Sequence, residues 1–178
     1  ASVGGFTNGV SALEMAKGYA TIKNDGGYRN PTCIIKITDA DGQVLYQADQ
    51  TASVVYKENA CRQMTDMLQT VITSGTGRGY SLGNMPCAGK TGTTNDNKDG
   101  WFVGYTPYYT TSVWVGYDIP KEVPGLGGGT YPGKIWYSFM SWLHEGLEPI
   151  DFVHPLDQTL TDLGQTNTAE NALPETGE

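Results

Sequence analysis

Two short segments, residues 100–106 and 111–118, constrain the fold more than any other part of this chain. In the first, Trp101, Val103 and Tyr105 alternate with Phe102 and Gly104; in the second, Val113, Val115 and Tyr117 alternate with Trp114 and Gly116. Strand periodicity with apolar residues on both faces demands a packed layer on each side of the sheet. A third candidate strand, 87–94, precedes them. The links between the three are short, so they read as antiparallel meander neighbours rather than strands joined by helical crossovers.

Helical patterns supply the covering layers. Ser11-Ala12-Leu13-Glu14 reads as a capping box. The helix it opens carries Glu14, Lys17, Gly18 and Thr21 on a polar face, with Leu13, Met15, Ala16, Tyr19, Ala20 and Ile22 covering the rest, which predicts a mostly buried helix ended by Asn24-Asp25-Gly26-Gly27. A second runs from about Lys57 to Thr73, with Ala60, Met64, Met67, Leu68, Val71 and Ile72 as one apolar stripe and both methionines expected in the core. Thr130 and Pro132 open a last helix whose apolar positions are Ile135, Trp136, Phe139, Met140, Trp142 and Leu143; Gly146 closes it. Between the first two helices, alternation over 32–38 and again at Val44, Tyr46 and Ala48, around Asp41-Gly42, predicts a β-hairpin. Residues 74–79 read as a mobile loop and 125–129 as a flexible linker. Residues 1–155 form the folded unit, and 156–178 read as an acidic polar tail without periodicity, predicted to be disordered.

The balance of 11 basic against 19 acidic residues, a net charge of −8, argues against a nucleic-acid partner, because nothing would neutralise phosphates. There is no apolar run of about 18 residues and so no membrane contact from this segment. The opening Ala1-Ser2-Val3-Gly4-Gly5 does not read as a signal peptide and is expected to be a cut boundary. Cys33, Cys61 and Cys87 lack Cys-x-x-Cys spacing and sit among apolar neighbours, so all three are expected to be buried thiols.

The chemistry concentrates in Ala88-Gly89-Lys90-Thr91-Gly92-Thr93-Thr94, after Pro86-Cys87. A phosphate loop would need glycine where Asn84 stands and a helix directly after Thr91, whereas Gly92, Thr93, Thr94, Asn95 and Asp96 follow. Asn95, Asn97 and Asp99 before Gly100 imitate half of a calcium loop, but Thr106 holds the place of its closing glutamate, so a polar turn is the better reading. His144, near a helix C-terminus, and His154 have no second histidine at ligand spacing; the first reads as a residue favoured by the helix dipole and the second as solvated. No metal or cofactor is called for. What the run does suit is one of two things, a plain solvated strand end or a sheet edge that holds a peptide carboxylate. In the second reading the parts fall into place. Lys90 supplies a cation, Thr91 and Thr93 supply hydroxyls, Gly92 leaves room for a substrate strand, and the Thr93 N–H can meet a developing oxyanion.

The run continues into Asp99-Gly100-Trp101-Phe102-Val103-Gly104-Tyr105-Thr106-Pro107 and Val113-Trp114-Val115-Gly116-Tyr117-Asp118. Upstream stand Gly9-Val10-Ser11-Ala12-Leu13-Glu14-Met15-Ala16, Met64-Thr65-Asp66-Met67-Leu68 and Ser74-Gly75-Thr76-Gly77. In this order the segments closely resemble the C-terminal part of the transpeptidase domain of class A (bifunctional) penicillin-binding proteins. The resemblance implies an α+β fold of the penicillin-binding-protein/serine β-lactamase-like type, here a partial domain, with an antiparallel sheet covered by helices on both faces. It also implies a serine D,D-transpeptidase that cross-links peptidoglycan stem peptides ending in D-Ala-D-Ala and is trapped by β-lactams, at the extracytoplasmic face of the bacterial membrane. On that footing Lys90 and Thr93 are catalytic, through relay electrostatics and the oxyanion hole, and Thr91, Gly92 and Thr93 bind substrate.

The departure is equally plain. No serine here has lysine three residues on or asparagine two residues on, so the family's Ser-x-x-Lys and Ser-x-Asn motifs are absent. Tyr28-Arg29-Asn30 imitates a Tyr-x-Asn variant but falls in a segment that matches a turn. The expectation is a chain cut after the nucleophile, inactive alone, whose partner is the missing N-terminal part of the same domain. The alternative is a non-catalytic module that grips peptidoglycan or a protein partner. Leu173-Pro174-Glu175-Thr176-Gly177 matches a sortase pentapeptide but lacks the following apolar segment, and reads as a chance match.

Overall fold

The computed structural model describes residues 9–155, so the 156–178 tail and its Leu173-Pro174-Glu175-Thr176-Gly177 match lie outside the described residues. In chain order the elements are α1 (Ala12–Lys23), β1 (Gly27–Tyr28), β2 (Lys36–Thr38), β3 (Val44–Gln47), β4 (Ser53–Val54), α2 (Glu58–Thr73), β5 (Ala88–Thr93), a 3-10 turn (Asn95–Asn97), β6 (Asp99–Tyr105), β7 (Thr110–Gly116) and α3 (Tyr131–Leu143). β5, β6 and β7 form the expected antiparallel meander, while β1–β4 and β2–β3 are separate two-stranded pairs.

The pleat divides the central sheet into two faces. Ala88, Lys90 and Gly92 share one with their partners Tyr105, Val103 and Trp101; Gly89, Thr91 and Thr93 share the other with Gly104, Phe102 and Gly100. On the first, Tyr105 and Ala88 pack with Leu68 of α2 and with Tyr19 and Ile22 of α1. On the second, Phe102 packs with Trp136 and Met140 of α3, Cys87 and Ile72. Helices therefore cover both faces, and α2, beside β5, feeds both clusters. At Gly104 a Cβ would stand 2.7 Å from the Trp136 ring, so the glycine lets α3 close onto the sheet.

The capping box forms as read: the Ser11 Oγ accepts the Glu14 N–H, and the Glu14 carboxylate accepts the Ser11 N–H. The burial of α1 does not. Leu13 is exposed, and the buried side chain is Thr21, whose hydroxyl donates to the Lys17 carbonyl at 2.8 Å and so carries no unmet polar group inward. The inward face of α2 is also rotated from the expected stripe: Cys61, Thr65, Leu68 and Ile72 are buried, while Met64 and Met67 are exposed. A polar residue holds an inward place here because the Thr65 hydroxyl is hydrogen-bonded to the Tyr105 hydroxyl at 2.9 Å.

The hairpin is present but shorter, with Ile37 opposite Tyr46 and a bulge at its end. Asp39 Oδ1 accepts the Asp41 and Gln43 N–H groups and shapes its turn. Both strands are exposed, and so is Cys33, against the expectation that it is buried; Cys61 and Cys87 are buried. Neither loop read as mobile or flexible is loosely held. In the 74–79 segment, Gly77 donates to the Val71 carbonyl at 3.0 Å and is buried against α2. In the 125–129 segment Leu126 is 4% exposed, and its side chain occupies the space that a Cβ at Gly100 would need. On α3, Thr130 and Pro132 stand at the start as read, but Ile135, Phe139 and Trp142 face outward while Trp136 and Met140 are buried.

Candidate functional site

The site is built on β5, an edge strand of the central sheet. Its hydrogen-bond phase follows from Thr94, whose N–H donates to the Asp99 carbonyl at 3.0 Å. Pairs 94/99, 92/101 and 90/103 are then the hydrogen-bonded ones, and the main-chain groups of Thr91 and Thr93 turn away from β6 to the open edge. The Lys90 Nζ donates to the Thr91 carbonyl at 2.8 Å, which brings the ammonium to that same edge. Lys90 and Thr93 are exposed, and Thr91 and Gly92 are half-buried. The four residues singled out from sequence thus meet along the open edge, with Lys90 and Gly92 on one face of the strand and Thr91 and Thr93 on the other.

Both threonine hydroxyls are held from outside the strand. Thr91 Oγ1 is hydrogen-bonded to Thr76 Oγ1 at 2.6 Å, and Thr93 Oγ1 accepts the Gly128 N–H at 2.9 Å. Gly128 reaches this position because its backbone lies on the sheet: a Cβ there would stand 2.5 Å from the Trp101 carbonyl oxygen and 2.7 Å from the Gly92 nitrogen. The loop is clamped at each end. Gly127 N–H donates to Thr130 Oγ1 at 2.8 Å, Thr130 Oγ1 returns a bond to the Gly127 carbonyl at 2.7 Å, and the Tyr80 hydroxyl donates to the Gly129 carbonyl at 2.6 Å. On the other face of β5, a Cβ at Gly92 would approach that of Trp101 to 3.2 Å. Gly92 is therefore confined by Gly128 on one side and Trp101 on the other. That is a packing reason for glycine beside the one read from sequence.

Sequence reading missed Thr76 and Gly128. The available signals were Ser74-Gly75-Thr76-Gly77 directly after a helix and three glycines directly before the Thr130 cap, but neither says which strand the loop will meet.

Other chemistries fit poorly. β5 runs as a strand through Thr93 and leads to a single 3-10 turn, so no helix N-terminus is presented for a phosphate. The Asp99 carboxylate accepts from the Thr94 hydroxyl and the Trp114 indole N–H, each at 3.0 Å, which makes 94–99 a braced polar turn. Among the described residues no group of three or more His, Cys, Asp or Glu is placed to hold a metal ion. Burial pushes the Cys87 thiol up from its usual range, away from thiolate chemistry. Tyr28 donates to Asn30 at 2.7 Å in β1, which belongs to a different sheet from β5. His144 stands at the C-terminus of α3, as read, and is buried there. Its Nδ1 bonds the Met140 carbonyl and its Nε2 the Thr106 hydroxyl, bracing α3 against the β6–β7 turn.

An ammonium, an outward N–H and two hydroxyls along an open edge suit a peptide that adds as a strand and ends in an anion. Comparison with known proteins identifies the family. A family model described as the penicillin binding protein transpeptidase domain matches residues 2–141. The chain is 40% identical over 136 residues to penicillin-binding protein 4 of Bacillus subtilis strain 168, covering 76% of this chain and 22% of that one. It is 39% identical over 148 residues to penicillin-binding protein 1A of Neisseria meningitidis, covering 79% of this chain and 18% of that one. PonA1 from Mycobacterium tuberculosis, solved in complex with penicillin V, matches with a TM-score of 0.70 at 33% identity, over 80% of this chain and 40% of that one. The chain spans about a fifth of the length of these curated relatives.

Proposed function

This chain belongs to the transpeptidase domain family of penicillin-binding proteins, and from that premise we propose that it forms the substrate-receiving wall of a serine D,D-transpeptidase site. The observation that carries the reading is the Thr93 N–H, turned outward from an edge strand beside the Lys90 ammonium. A stem peptide ending in D-Ala-D-Ala lies along β5. Its terminal carboxylate takes hydrogen bonds from the Thr91 and Thr93 hydroxyls, which flank Gly92 on the strand. The carbonyl of the penultimate residue points at the Thr93 N–H.

A serine hydroxyl attacks that carbonyl, loses its proton to the relay, and expels the terminal D-Ala amine. The oxyanion formed on the way is stabilised by Thr93 N–H. The amine of a neighbouring stem peptide then attacks the acyl-serine ester, and the serine leaves as the cross-link forms. Lys90 contributes a positive charge that favours the proton transfers. A β-lactam enters by the same route, its own amide opened by the serine.

No serine of this chain carries the family's motif, so the nucleophile and relay come from the N-terminal part of the same domain, which is the chain's principal partner. Residues 1–155 make up the later portion of that domain, and 156–178 lie outside it. The site works at the outer face of the bacterial membrane, where peptidoglycan is built; among the described residues no helix is long and apolar enough to span a membrane.

Intact-mass measurement after incubation with a penicillin tests this reading. The full-length protein should gain the mass of one penicillin and this chain alone should gain none. An unmodified full-length protein would contradict the transpeptidase reading, and an adduct on this chain alone would contradict the external nucleophile.

A further inference from the structure

The carboxylate-facing hydroxyls of β5 each have one outside partner, and the direction of those two bonds decides what the hydroxyls can do. A hydroxyl has one proton to give. It is a good donor to an anion when its own oxygen is already accepting a hydrogen bond and its proton is not committed elsewhere. Gly128 N–H can only donate, so the Thr93 hydroxyl accepts from it at 2.9 Å and keeps its proton for a ligand. No other side-chain bond ties the Thr93 proton among the described residues.

Thr91 stands in the corresponding position with a different partner. Its Oγ1 lies 2.6 Å from Thr76 Oγ1, and in that pair either oxygen can donate. A carboxylate at the edge accepts a hydrogen bond from the Thr91 hydroxyl, which requires Thr76 to donate to Thr91 and not the reverse. We propose that Thr76 is a positioning residue of the carboxylate site, turning Thr91 into a donor toward the ligand as the Gly128 N–H does for Thr93. The inference rests on reading β5 as a carboxylate-binding edge.

Two features suit Thr76 to this role. It sits in the turn after α2, where Gly75 and Gly77 both donate to the Val71 carbonyl and fix the turn against the helix end. Gly129 also presses on it: a Cβ there would stand 3.1 Å from the Thr76 carbonyl oxygen. The two loops that hold Thr91 and Thr93 thus touch each other, and the hydroxyl pair is oriented as one unit.

The consequence is selectivity for charge. A ligand with a free carboxylate uses the donor that Thr76 creates, whereas the methyl ester of the same ligand makes little use of it. Thr76 is exposed, so its substitution leaves the fold intact. In the full-length protein, Thr76→Val should slow acylation by a penicillin about tenfold while leaving the rate with the penicillin methyl ester unchanged. Thr76→Ser, which restores the hydroxyl, should return the free-acid rate to near the wild-type value. If Thr76→Val matches wild type on the free acid, slows both compounds equally, or is not rescued by serine, the inference is wrong while the transpeptidase reading stands. If wild-type protein is acylated by neither compound, that reading fails and takes this inference with it.

Discussion

Thr93 Oγ1 accepts the Gly128 N–H at 2.9 Å, tying the strand that carries Lys90 to the loop that opens α3. One hydrogen bond thus joins the exposed edge to the loop that leads into a helix anchored in the core by Trp136 and Met140.

Gly128→Ala should break this junction. Its Cβ would press on the Trp101 carbonyl oxygen at 2.5 Å and the Gly92 nitrogen at 2.7 Å, both main-chain atoms in the sheet ladder. A loss of at least about 2 kcal/mol is expected in urea unfolding. Gly18→Ala is the opposite case: nothing lies within 4 Å of the new Cβ and the residue is inside α1, so a gain of up to about 1 kcal/mol is expected.

Trp136→Ala should be among the costliest core changes. The indole is 0% exposed, sits 5.0 Å from the Phe102 ring centroid, and donates to the Gly104 carbonyl. Chemical denaturation should show a loss of about 3–5 kcal/mol. Trp142, on the same helix, is 63% exposed, and Trp142→Ala should stay within about 0.5 kcal/mol of the parent.

Alkaline pH should weaken the fold through Tyr105. Burial pushes its phenol up to about 12 from the usual 10.0, partly offset by the hydrogen bond with Thr65. The fold therefore favours the neutral ring. Below pH 10 the ring is neutral in both folded and unfolded chains, so its contribution is fully present; between pH 10 and 12 the unfolded chain ionises first and stability falls. Urea midpoints measured across that window should drop, and Tyr105→Phe should flatten the drop.

The parts legible in the sequence are those written in short repeating patterns. Alternation at Trp101 to Tyr105 and Val113 to Tyr117 gave the meander, and Ser11 with Glu14 marked the start of α1. The inward face of α2 was not legible, because Thr65 reads as polar until its partner Tyr105 is known, 40 residues away. Met64 and Met67 look like core residues for the same reason: periodicity places them one step round the helix from Leu68 but does not say which step faces the sheet.

The candidate site divides in the same way. Lys90, Thr91, Gly92 and Thr93 are contiguous and their alternation sets their directions. Thr76 and Gly128 reach the strand from 15 residues before Thr91 and 35 after Thr93, through turns with no periodic signal. Residues 125–129 read as a linker because four glycines suggest freedom. In the fold that lack of side chains is what lets the backbone lie against Gly92 and Trp101.

The oxyanion role of the Thr93 N–H is tested most directly by comparing Thr93→Pro with Thr93→Val in the full-length protein, reading the rate of covalent penicillin acylation by intact mass. Both variants lose the hydroxyl and its bond to Gly128, but only proline removes the N–H, which faces the open edge and takes no part in the sheet ladder. Acylation of Thr93→Pro should be slower than that of Thr93→Val by a further factor of about 10²–10³, the cost of one lost oxyanion donor. Equal rates in the two variants would contradict the assignment of that N–H to the developing oxyanion.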